Sequence, residues 1–310
     1  FMLLDITDGI GKPNELYIRM NARGKQLTAF ENFKADVYGY LEGDAKNNLV
    51  ANMDGKWLDL LWGLAENIEA AEKYCDVFYR ELLHWIIING LAVRAKNGLE
   101  DIKISKSATF EWLSQAKEDE IDEIYLSDYL GLAKQWSAEQ ESIDIKAVFE
   151  DVYNAFTVIQ SLCEDFLVEE RIKERIRYSE ENKAYHSEIS GYKIRVLLYA
   201  LTKYAQIKKR DIGDNELKEW YRIFKKLIDN TEIDNPEKFY NACRQISQIN
   251  GTKVTVEDLK RLESFDNYQR QEEIFKMQLI EKDSDFAKVI AEAEKDSYFK
   301  GQIYFVFKKE

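Results

Sequence analysis

Proline is almost missing from this 310-residue chain: there are two, beside 14 glycines. A chain so poor in the two residues that interrupt regular structure can run long elements without a break. Cysteine is nearly as scarce. Cys75, Cys163 and Cys243 are far apart in sequence and form no CxxC pair, which argues against a disulfide framework or a zinc knuckle and makes a reducing cytoplasm the expected home. Long apolar runs are lacking too. The most apolar stretch, Leu82 to Val93, is interrupted by His84 and Asn89 and falls short of the roughly 20 residues a membrane span needs, so no membrane partner is expected. Basic charge is in deficit: 44 Lys and Arg against 57 Asp and Glu give a formal net charge of -13 and a pI near 4.9. That balance excludes a surface that binds nucleic acid everywhere, because phosphate contacts need clustered cations. The chain opens Phe1-Met2-Leu3-Leu4-Asp5-Ile6, with neither an initiator methionine in first place nor the basic region of a signal peptide. The expectation is a piece from within a longer protein.

What is present is 45% apolar and 33% charged residues, a mixture suited to amphipathic helices, so a mainly α fold is expected. A short strand-turn-helix element should open it. Phe1 to Ile6 and Glu15 to Asn21 read as strands; in the second, Leu16, Ile18 and Met20 alternate with Tyr17 and Arg19. Gly9, Gly11 and Pro13 supply the turn between them. Thr28-Ala29-Phe30-Glu31 has capping-box spacing, with Thr28 as cap and Glu31 at the third helical position. Helices are then expected over Ala29 to Leu41, Lys56 to Leu64, Ile68 to Lys96, Thr109 to Lys117, Ile145 to Leu167 and Ser187 to Lys208. Further helices are expected over Asn215 to Asp229, Pro236 to Gln248, Val256 to Leu262, Tyr268 to Lys282 and Asp285 to Lys295. Pro236 suits a first helical position after Asp234-Asn235, and Gly98 and Gly251 suit helix stops. The acidic stretch Lys117 to Glu123 reads as a solvated loop and Asp211 to Asn215 as a hinge. Ile303 to Phe307 reads as a strand or the start of a helix. This divides the chain into 1–50, the strand-turn-helix end of an N-terminal domain, 51–210, a helical domain, and 211–310, a second helical subdomain read as truncated.

The segment Leu16 to Ala35 is the most informative for function. A strand, a tight turn carrying Arg23 and Lys25, and a capped helix can offer guanidinium, ammonium and helix N-terminal N–H groups to one anion. Gly24 permits close backbone approach, and Asn21 and Thr28 bound the turn, so Asn21, Arg23, Gly24, Lys25 and Thr28 are candidates for phosphate or nucleotide binding. Glu31 opposes this, since a capping carboxylate takes up part of the same helix terminus.

Other charged groups have plainer readings. Glu272, Glu273 and Lys276 have the residue types of a metal-dependent nuclease, but at helical spacing Glu272 and Lys276 are an i, i+4 ion pair. His84, between Leu83 and Trp85, fits a packed helix face, and His186 has no second histidine or cysteine beside it, so no metal site is proposed. The basic run Arg171, Lys173, Arg175 and Arg177 is interleaved with Glu169, Glu170 and Glu174. Like Lys208-Lys209-Arg210, it reads as a solvated face rather than a nucleic-acid surface. Trp57, Trp62, Trp85 and Trp220 fall at core positions. No nucleophile elbow, Walker loop or dinucleotide fingerprint occurs, and no catalytic residue is assigned.

Asn21, Arg23, Gly24, Leu27, Thr28, Phe30, Glu31, Asn32, Phe33, Lys34 and Ala35 follow the pattern N-A/S-R-G-x-x-L-T-x-F-E-N-F-K-A, and here the chain resembles the GmrSD-type restriction endonuclease family, in the region after its ParB-like catalytic core. Arg222 to Thr231 with Asn235, Phe239 and Asn241 is similar to a second block of that family, Gln271 to Lys276 to a third, and Tyr298 to Ile303 to a fourth. In the first block, Glu31, Asn32, Phe33 and Lys34 would be structural. The resemblance implies a multidomain, nucleoside triphosphate-dependent endonuclease acting on modified or foreign DNA in phage defence, with a divalent metal as a further candidate cofactor. Its signatures, Asp-Gly-Gln-Gln-Arg in the core and His-Ile-x-Pro-Gln in a C-terminal nuclease, do not occur in these 310 residues. The expectation is therefore a helical fragment that binds no cofactor and is inactive alone, its partners being N- and C-terminal domains of the same protein, with DNA a partner of the whole. The alternative is a non-catalytic helical module that binds a partner protein or DNA backbone.

Overall fold

The computed structural model describes residues 29–53, 55, 83, 86–91, 93–94, 126–136, 143–162, 176–179, 184–187, 192–208, 214–295 and 302–304. The described part is mainly α. Its helices are α1 (Ala29–Tyr40), α2 (Gly43–Met53), α3 (Leu126–Trp136), α4 (Ile145–Ser161), α5 (Tyr192–Lys208), α6 (Asp214–Asp229), α7 (Pro236–Ser247), α8 (Val256–Arg261), α9 (Asn267–Lys282) and α10 (Phe286–Ala293). Residues 83, 86–91 and 93–94 are helical as well. Among the described residues no helix is long and apolar enough to cross a membrane.

Helix α5 is the centre of the body. Every residue from Ile194 to Ala205 is buried, as expected of a helix packed on all sides. It lies against α4, α6 and α7. Helix α4 turns one stripe inward: Ile145, Val148, Phe149, Val152, Phe156 and Ile159 recur at helical spacing and are all buried. From α6, the Trp220 ring stacks at a tilt on Tyr204 and Phe224, and its indole N–H donates to the Ala200 carbonyl of α5 at 3.0 Å. That bond satisfies the one polar atom the buried ring carries. Lys193 Nζ donates to the Asp229 carbonyl at 2.9 Å, placing a cation at the C-terminal end of α6.

Side-chain caps set several boundaries. Pro236 opens α7, as the sequence predicts, and Asn235 accepts the Lys238 N–H at 3.0 Å. Thr255 and Asp258 make a reciprocal capping box on α8, and Asp266 accepts the Gln269 N–H at the start of α9. Thr231 joins two corners: its hydroxyl donates to the Leu227 carbonyl and accepts the Asp266 N–H at 2.9 Å.

Several details depart from the pattern-based reading. Helices α2 and α3 are not foreseen. The first is about half polar, and among its described side chains Leu49 and Met53 are buried; it follows α1 through Gly43, whose φ of +62° is open to glycine at little cost. The second has Gly131 in its interior, yet it buries Leu126, Tyr129 and Ala133 at helical spacing, and that packing outweighs the propensity cost. Ser187 does not begin a helix: it ends an antiparallel pair, β1 (Ile176–Ser179) with β2 (Ala184–Ser187), and α5 begins at Tyr192. Nor does Gly251 stop α7 in a left-handed turn. The helix closes at Gln248 in right-handed backbone, whose N–H reaches the Gln245 and Ile246 carbonyls. The expected N-terminal strands and the Thr28 cap, the helices over 56–64 and 109–117, and the Gly98 stop lie outside the described residues.

Candidate functional site

Asn21, Arg23, Gly24, Lys25 and Thr28 lie outside the described residues, so the expected phosphate turn has no geometry here. Its helix does. Glu31 is the third residue of α1, Asn32 and Lys34 are half-buried, and Phe33 is buried with its ring edge-on to Tyr129 of α3, centroids 5.7 Å apart. Phe33, Val37 and Leu41 form a stripe that fixes α1 to the helical body. On the solvent side, Lys46 of α2 lies over the Tyr38 ring at 3.7 Å.

The most concentrated charge chemistry is at the other end of the chain. Lys276 and Glu273, one turn apart on α9, are each 0% exposed. Lys276 Nζ donates to Glu273 Oε1 at 2.9 Å and to Glu294 Oε1, just past α10, at 2.7 Å. Arg222 of α6 donates from one terminal nitrogen to Glu273 Oε2 and to Glu294 Oε1, both at 2.8 Å. Its other two nitrogens form a fork on Glu219, one turn back. Gln269, also buried, donates to Glu273 Oε1 at 2.9 Å. Burial alone would pull the Arg222 guanidinium down, but the charges of Glu273, Glu219 and Glu294 hold it well above its ordinary value. For Glu219, burial pushes up, and the hydrogen bond and charge of Arg222 prevail to hold it low.

Glu272 is the i, i+4 ion-pair partner of Lys276 that the spacing suggests, its carboxylate 3.8 Å from the ammonium. That is longer than a hydrogen bond, and the carboxylate also accepts the backbone N–H groups of Ile303 and Tyr304 at 2.7–2.9 Å. Burial raises this carboxyl above its usual range, against the pull of those N–H groups and of Lys276. Four carboxylates and two cations leave the cluster formally two charges negative. The oxygens of Glu219, Glu272 and Glu273 are all engaged by cations or N–H groups, and among the described residues no group of three or more His, Cys, Asp or Glu side chains is disposed to hold a metal ion. The donor set suits an interior ionic joint between α6, α9 and α10, not a divalent cation.

A second, smaller polar cluster joins α4 and α5. Arg94 makes a two-armed contact with buried Asp151, one arm being Nη2 to Oδ1 at 3.0 Å. Lys203 lies nearby in α5; burial lowers its pKa, opposed by the Asp151 charge. Gln206 links Lys203 to the Val93 carbonyl. Neither cluster is legible from local spacing. Arg222 is 51 residues from Glu273 and 72 from Glu294, and Arg94 is 57 from Asp151. The one available signal was the unusual density of charge in an otherwise apolar period on α6 and α9. His84, His186 and the basic run over 171–177 have no described side-chain geometry.

Comparison of the chain with protein-family models, with curated proteins and with solved structures finds no match in any of the three.

Proposed function

We propose that this chain is the helical scaffold of a GmrSD-like, nucleotide-dependent DNA restriction protein, holding the Asn21-to-Thr28 turn against a nucleotide site in a preceding domain and carrying no catalytic centre itself. The observation that supports this reading is the convergence of three separate family-like sequence blocks. Arg222 comes from one, Glu272, Glu273 and Lys276 from the next, and Ile303 from the last; all meet in one closed ionic joint. Within the same blocks Thr231 ties two corners, Asn235 caps α7, and Phe239 packs by Tyr192. These are architectural tasks, as a scaffold requires. In the first block Phe33 anchors the motif helix, which would fix the direction of the turn preceding it.

The test is Arg23→Ala in the longer protein, with nucleotide affinity and thermal unfolding measured together. Losing a charge-assisted phosphate contact should weaken binding by about 1.5–3 kcal/mol, roughly ten- to a hundredfold, with stability nearly unchanged. Unchanged affinity, or a drop in stability large enough to account for the loss, would favour a module in which the turn is only structural. Nucleotide or DNA turnover by the 310-residue chain alone, abolished by a point substitution within it, would refute the non-catalytic assignment.

A further inference from the structure

We draw no further inference here: the strongest candidate, the partly buried polar cluster of Arg94, Asp151, Lys203 and Gln206 between α4 and α5, belongs to the contact already described, and beyond that geometry only the lowered pKa of Lys203 would point to a ligand or a switch.

Discussion

Replacing Lys276 by methionine tests the ionic joint directly. The side chain is fully buried and keeps nearly the same length and volume, so packing should change by less than about 1.5 kcal/mol. What changes is charge. Glu273 and Glu294 lose their ammonium donor, at 2.9 and 2.7 Å, and keep Arg222 as the cation they share, with the neutral Gln269 amide still donating to Glu273. The cluster moves from two to three formal negative charges in a mostly buried region, open to solvent chiefly at Glu219. Removing one partner of a buried pair leaves the other uncompensated and costs about 3–5 kcal/mol. With a urea m-value of about 2–3 kcal/mol/M the midpoint should fall by about 1–2 M. Adding Glu294→Gln to Lys276→Met removes the stranded carboxylate and should recover at least about 1 kcal/mol, a coupling visible in a double-mutant cycle. The assay is urea unfolding followed by far-ultraviolet circular dichroism at low and high salt. A loss under about 1 kcal/mol, or no recovery in the double variant, would mean that solvent reaches the joint and that the charges are not coupled.

Two other substitutions probe separate physics. Asn235→Ala removes the side-chain acceptor of the Lys238 N–H and should cost about 1 kcal/mol, with Asn235→Asp restoring most of it in the same melt. Lys203 has a pKa depressed by burial, so its folded value lies below its unfolded one and its protonated form works against the fold. Stability should rise as pH climbs from the folded value toward that of an ordinary lysine. Lys203→Met should accordingly be neutral or stabilising by about 1 kcal/mol at neutral pH, and its advantage over the native chain should shrink on alkalinisation. An advantage that grows with pH would reverse the sign of the argument.

Where the sequence was informative, the physics was local. Helix α7 could be placed because proline, a capping asparagine and an apolar period all occur within a dozen residues. Helices α5, α6 and α9 followed from repeated apolar positions. Helix α2 was missed because the run Lys46-Asn47-Asn48 breaks its apolar period, leaving little to read, and α3 because Gly131 argues against a helix that tertiary contacts with α1 nonetheless support. The β1–β2 pair was missed because Arg177, Tyr178, Tyr185 and His186 sit in a charged neighbourhood that hides a short alternation. For the joint, the acidic and basic residues of α9 could be singled out but their partners could not. A helix wheel joins Lys276 to Glu272 as readily as to Glu273. Both ion pairs form, and which is the closer is decided by α6 and α10, which bring Arg222 and Glu294 to the Glu273 side of Lys276 while the Glu272 carboxylate also meets the Ile303 backbone.

That choice bears on how the C-terminal blocks should be understood. Had Glu272, Glu273 and Lys276 faced a shared open space, their residue types would suit metal-assisted phosphodiester chemistry, in which carboxylates leave oxygens free for a cation and lysine meets a leaving group. Instead Lys276 stands between two carboxylates at 2.7–2.9 Å, and Arg222 bridges the same pair. A buried network of this kind contributes little net stability over an apolar core of equal volume, since desolvation offsets most of the Coulomb gain. Its strength is in specifying geometry. Three helices whose apolar faces alone would tolerate sliding are held in one register, because any shift would strand a charge. A body locked in register in this way is suited to hold a fixed geometry, which is what the scaffold proposed above requires of it.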